Sequence, residues 1–224
     1  ATFKLAPIAP ASRTVEVTLD TLASSADIVA NLAASALTPT ALELMSTSAV
    51  TRLLVRFESV EQAAVQQAAE ACNLVGPRGS SQMLAGNEES VAWERHATHW
   101  SSSAGGTLLK VSCMPAELIP TLVWLRAQAN ATGLEMAAVG RGGLGVVDVR
   151  LDGSLDVQAR VITELRERLP IGRGSAVIRR GEAALRQRVD PWGPIGDGMR
   201  VMQAVKQRFD PDNLINVGRG PGGL

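Results

Sequence analysis

Four stretches of apolar–polar alternation constrain this chain more than any other feature. A period of two puts every apolar side chain on one face of a β-strand and leaves the other face polar. Val15, Val17 and Leu19 alternate with Glu16 and Thr18; Leu53, Val55 and Phe57 with Arg52, Leu54 and Arg56. Leu109, Val111 and Cys113 alternate with Lys110 and Ser112, and Val147, Val149 and Leu151 with Asp148 and Arg150. Weaker versions at 40–46, 134–139 and 174–179 bring the predicted strands to seven.

Helices are predicted between them. Ser59 with Gln62 fits a capping box ahead of EQAAVQQAAEAC, and Ser24 with Asp27 a looser one ahead of IVANLAAS. Pro115 suits a first helical turn, where a missing N–H costs nothing, whereas Pro120 should bend that helix or delay its start. Further helices are predicted near 87–99, 155–168, 181–188 and 196–208, the last with a stripe of Met202, Val205 and Phe209.

The resulting order is β-α-β-β-α-α, then β-α-β-β-α-β, then two C-terminal helices and a Gly-rich tail. Each half reads as a split βαβ (ferredoxin-like) unit, so the predicted fold class is α+β: a large antiparallel sheet with helices packed on one face. The Gly/Ser stretches at 76–81 and 101–106 are short enough to be loops. Residues 1–224 therefore read as a single domain, with 196–224 as its C-terminal helix and tail.

Composition narrows the function classes. With 46% hydrophobic residues, 22 Lys+Arg against 22 Asp+Glu and a formal net charge of zero, the chain is neither a disordered segment nor one with a field that attracts phosphate backbones. A compact monomer of this mass would expose about 10,000 Å². Cys72 and Cys113 are too few and too far apart for a disulfide framework or zinc site, which fits a reducing, cytoplasmic compartment. No apolar run reaches the roughly 18 residues of a spanning helix. The chain begins at Ala1 in a strand-like ATFKL, which implies a chain cut or processed upstream.

Few residues suggest chemistry directly. Gly140, Gly142 and Gly145 match the spacing of a dinucleotide-binding turn, but a strand, VVDVRL, follows them instead of a helix, so a hairpin is predicted. His96 and His99, three apart and flanked by Trp93 and Trp100, could share a metal, though no third ligand is evident; a structural helix is the competing reading. Cys113 reads as a small core residue. On the polar strand faces, Arg52, Arg56, Lys110 and Arg150 could clamp a small acid's carboxylate. They could equally form a solvated face balanced by Glu16, Glu43 and Asp148.

The C-terminal run VMQAVKQRFDPDNLINVGRGPGGL resembles the end of FAD-linked oxidases of the vanillyl-alcohol oxidase type. In those a helix leads into Phe-Asp-Pro, a spacer and Asn-Pro-Gly-Arg; Phe209, Asp210, Pro211, Asn216, Gly218 and Arg219 match, with Val217 in place of the Pro. ATFKL is similar to the last strand of the family's flavin-binding domain. TLLKVSCMPAELIPTL, GRGGLGVVDVRL, ELRERL and VDPWGPIGDGMRVMQAVK resemble the cap of the smaller FAD-binding subunit of bacterial glycolate oxidases. The His-rich metal motif of the family's larger lactate and glycolate dehydrogenases has no match, so no metal is implied.

The resemblance implies a C-terminal cap domain of an FAD-dependent oxidoreductase that oxidises a small 2-hydroxy acid by hydride transfer to flavin. FAD would be held mainly by an N-terminal FAD-binding domain outside this sequence, the chief partner beside other subunits of a glycolate-oxidase-like complex. Asn216 and Arg219 carry over as cofactor-binding, with a turn role for Asn216 as the alternative. Alone, the chain would be inactive. The competing class is a non-catalytic interaction module of a multisubunit oxidase, using the sheet face or the 87–100 helix with Trp93 and Trp100. A stand-alone small-molecule binder has only the repeated half-pattern behind it.

Overall fold

The computed structural model describes residues 2, 7–98, 106–169 and 172–224. The ATFKL strand (but for Thr2), His99, Trp100 and most of the 101–106 loop lie outside these. Fifteen regular elements follow in order: β1 (Ala11–Leu19), α1 (Ser25–Ala34), β2 (Ala41–Ser46), β3 (Thr51–Ser59), α2 (Glu61–Val75), β4 (Ser80–Leu84), α3 (Gly86–Thr98), β5 (Thr107–Ser112), α4 (Pro115–Thr132), β6 (Glu135–Arg141), β7 (Val146–Asp152), α5 (Leu155–Arg168), β8 (Ser175–Arg180), α6 (Ala183–Arg186) and α7 (Gly198–Phe209).

The eight described strands form one sheet in the order β4-β1-β3-β2-β6-β7-β5-β8, with every pairing antiparallel. Each half repeats the same unit, β1-α1-β2-β3-α2-β4 and β5-α4-β6-β7-α5-β8, and the halves meet through β2 and β6. The α+β class and its split-βαβ halves are as expected. One strand more than predicted is present. β4 takes up part of the 76–81 stretch expected as a loop, and only its Leu84 is buried, because an edge strand of Ser, Gln and Met has little apolar face to alternate.

Alternation becomes core through register. Val15 opposes Val55 and Val17 opposes Leu53; Leu109 opposes Val149 and Val111 opposes Val147. All of these are buried beneath α1, α2, α4 and α5, which contribute Ile28, Ala68, Leu122 and Ile162 among others. Phe57, fully buried, is the largest side chain there.

Helix starts differ in detail from expectation. Neither Ser59 nor Ser24 caps a helix through its side chain: α2 starts after an extended Val60, and Ser24 Oγ pairs with Thr21 Oγ1 instead. Pro115 occupies the first turn of α4 as predicted, but Pro120 does not delay the helix, which runs on through it to Thr132. In the second turn a proline costs the single bond that its N–H would have given Ala116. The glycine motif is a hairpin, with β6 and β7 joined through a tight 142–144 turn. Gly145 is required there: its φ is +72° and an added Cβ would lie 2.1 Å from the Cys113 carbonyl oxygen.

Candidate functional site

The sheet face turned away from the four long helices divides into a covered part and an open part. α3 covers β1 and β3, where Leu54, Leu84 and Ala92, with Trp93 against them, make a small apolar cluster. The rest of that contact is polar. Glu89 of α3, 4% exposed, accepts from Ser12 Oγ and Thr14 Oγ1, both at 2.7 Å, and lies 3.3 Å from Arg56 Nε. The Arg56 guanidinium sits 4.3 Å from the Trp93 ring centroid, and Trp93 Nε1 donates to Thr14 Oγ1 at 2.9 Å. Glu16 accepts from Arg95 and from Gln82 Nε2, with Arg52 Nε at 3.7 Å.

Beyond α3 the same face opens into a cleft of about 850 Å³ over β2, β6, β7, β5 and β8. A row of directly opposed residues crosses its floor: Val139, Asp148, Lys110 and Val177. Asp148 gives its carboxylate to Arg179 Nη1 at 2.7 Å, not to Lys110 beside it. Arg150 pairs with Asp152 at 2.9 Å. Among the described residues, Lys110 therefore has no carboxylate partner, and neither does Arg141, which lines the cleft opposite Glu43. Glu43 instead faces His96 Nε2 at 3.3 Å.

The four predicted cations thus share one face but not one environment. Arg56 braces α3 through Glu89, Arg52 meets Glu16 on β1, Arg150 is neutralised by its neighbour, and among the described residues Lys110 alone of the four has no carboxylate partner. Arg141 was missed because it lies inside the Gly140–Gly145 motif, which reads as a turn; its spacing of two from Val139 on β6, which puts both on one face, was the available signal. His96 meets one carboxylate, and among the described residues no three His, Cys, Asp or Glu side chains group as metal ligands. Cys113, half-buried just past β5, has its thiol pushed up to about 11 by burial, with the Glu117 charge adding to the effect. It is protonated at neutral pH and no nucleophile.

The C-terminal tail is a separate, tightly specified structure. Asp210 accepts from Lys206 Nζ and from the backbone N–H groups of Leu214 (2.8 Å) and Ile215 (3.0 Å), and Lys206 also reaches the Ile215 carbonyl at 2.7 Å. The Lys206 bond first, then the two amides, hold the Asp210 carboxyl down to about 2. Asn216 follows with a left-handed φ of 52°, a turn conformation that Asn tolerates, and its carbonyl accepts from Arg219 N. Arg219 borders a hollow of about 660 Å³ together with Arg186 and Trp192. Its carbonyl accepts from Trp192 Nε1 at 3.1 Å, and Trp192 also lines the sheet cleft, so tail and cleft adjoin.

A doubly repeated split-βαβ sheet, with helices on one face and a charged cleft on the other, defines an α+β domain of two ferredoxin-like halves. The match to known proteins gives the particular family: residues 8–148 fit the model of FAD linked oxidases, C-terminal domain, and the chain belongs to that family. The fold is shared with p-cresol methylhydroxylase solved with substrate bound (TM-score 0.64, 14% identity, 95% of this chain and 53% of that one). It is shared also with glucooligosaccharide oxidase from Acremonium strictum (0.55, 10%, 92% and 54%) and alkyldihydroxyacetonephosphate synthase (0.54, 11%, 92% and 44%). This chain spans about half the length of these structures. No curated protein matches its sequence.

Proposed function

We propose that this chain is the substrate-side cap of a cytoplasmic FAD-dependent oxidoreductase that oxidises a small 2-hydroxy acid, in the manner of glycolate oxidase. The observation that carries the reading is the unpaired Lys110 and Arg141 in the open-face cleft, two cations that meet a carboxylate without first giving up an existing ion pair. Arg52, Arg56 and Arg150 act behind them, Arg56 by holding α3 against the sheet through Glu89. The flavin supplies the hydride acceptor for the C–H beside the substrate hydroxyl. Arg219 and Arg186, both without a carboxylate partner among the described residues, give the tail hollow a charge suited to an anionic part of that cofactor, with Asn216 shaping the turn.

An N-terminal FAD-binding domain is the partner this surface suits. The chain exposes 12671 Å², well above the about 10,000 Å² of a compact monomer of its mass. Much of the apolar part lies on α7 and the tail, where Val201, Met202, Val205, Phe209, Leu214 and Ile215 are all exposed. These also favour the second reading, an interaction module within a multisubunit oxidase; Trp93 does not, because α3 turns it toward the sheet. No helix is long and apolar enough to cross a membrane.

Co-expression with the FAD-binding domain tests the proposal. Bleaching of the flavin spectrum by 2-hydroxy acids is expected, with Lys110→Ala or Arg141→Ala raising KM about tenfold or more, as loss of a charged bond implies. No bleaching by any 2-hydroxy acid would move the weight to the interaction module.

A further inference from the structure

Within the proposed 2-hydroxy-acid site, Trp192 has no counterpart in the chemistry of the carboxylate. It sits at the β8 edge, where Ile178 N donates to the Pro191 carbonyl at 2.8 Å, so the 190–192 segment extends the sheet beyond its last strand. Its backbone is fixed by Asp190, whose carboxylate accepts from Trp192 N (3.2 Å) and Gly193 N (3.0 Å). Arg166 reaches across from α5 and donates to three carbonyls: Ala176 (2.9 Å), Asp190 (2.7 Å) and Pro191 (3.1 Å). Gly193 turns at φ +74° so closely past that guanidinium that a Cβ would lie 2.7 Å from Arg166 Nε. The indole N–H is spent on Arg219, yet the residue stays 37% exposed. A large ring is thus held in one orientation with a face left open to the cleft.

The cleft that the ring lines has an apolar part beside the charges of Asp148 and Arg179. Lys110 is directly opposed by Val177 on β8, and Val139 and Val146 complete the floor. With a carboxylate on Lys110, the same cleft offers these valines and the indole as lining for a substituent at C2. Glycolate has no side chain to meet them.

We infer that the cleft selects 2-hydroxy acids with an apolar, ring-sized side chain, with Trp192 as the specificity-determining wall and Arg166 as the positioning residue that holds it. The inference rests on the 2-hydroxy-acid reading and is separable from it. Aromatic contact and burial favour such a side chain by about tenfold over none.

The test titrates the chain, co-expressed with its FAD-binding domain, with glycolate and with mandelate, following the indole N–H resonances. Mandelate should bind about tenfold tighter than glycolate and shift the Trp192 resonance. Trp192→Ala should bring the two affinities together, Trp192→Phe should keep most of the preference, and Arg166→Lys should move the Trp192 resonance and reduce the preference while glycolate binding persists. Equal affinities in the unaltered chain, or a preference untouched by Trp192→Ala, overturn the inference and leave the 2-hydroxy-acid site standing. Binding of neither acid, or binding indifferent to Lys110→Ala, overturns both.

Discussion

Trp192 donates its indole N–H to the backbone carbonyl of Arg219 at 3.1 Å, and this one bond joins the sheet cleft to the C-terminal tail that bears Asn216 and Arg219. A partly exposed bond of this kind contributes about 0.5–1 kcal/mol net. Trp192→Phe keeps the ring and removes the donor, so the tail should fray locally. Trypsin should then cut after Arg219 about two- to fivefold faster, by the same energy; an unchanged rate would show that the tail is held elsewhere.

Glu89 is the buried acceptor for two hydroxyls and the partner of Arg56. Glu89→Ala leaves all three without it, and a loss of about 3 kcal/mol is expected in urea unfolding. Glu89→Gln retains an acceptor for the hydroxyls and should cost distinctly less. Equal losses would mean that charge plays no part in holding α3.

Gly145→Ala forces a left-handed φ of +72° on a residue with a Cβ and drives that carbon against the Cys113 carbonyl. The backbone strain alone is about 1–3 kcal/mol, so thermal unfolding should shift down by several degrees. Retention of the wild-type melting temperature would refute the hairpin geometry.

Asp210 gives the tail a defined acid limit. Its folded carboxyl lies at about 2, below the ordinary value of about 3.9. A depressed carboxylate contributes its stability in full above the unfolded value and loses it as pH falls through the folded one. The Leu214 and Ile215 amides should therefore stay protected from exchange above about pH 4 and lose protection between about 4 and 2. Asp210→Asn should remove that dependence; protection lost already at pH 5 would contradict the assignment.

The strands were legible because their signal is local. Alternation within β1, β3, β5 and β7 named the core residues that register then brought into opposition. β4 was not legible, since an edge strand paired only to β1 needs no apolar face of its own. The cap read from Ser59 failed because Val60, one residue later, precedes α2, and that from Ser24 because a hydroxyl near a helix start has competing partners, here Thr21.

What the sequence determined by itself was the α+β class, the repeated half and the polarity of the sheet's second face, all of which follow from spacing along a few residues. The C-terminal motif added the family by resemblance. Only the tertiary structure decided which cations on that face are already neutralised. Arg56 meets Glu89, Arg52 shares Glu16 with Arg95, and Asp148 goes to Arg179 and leaves Lys110 alone. Charge pairing is settled by contacts within a few ångströms between residues far apart in the chain, and no periodicity encodes them.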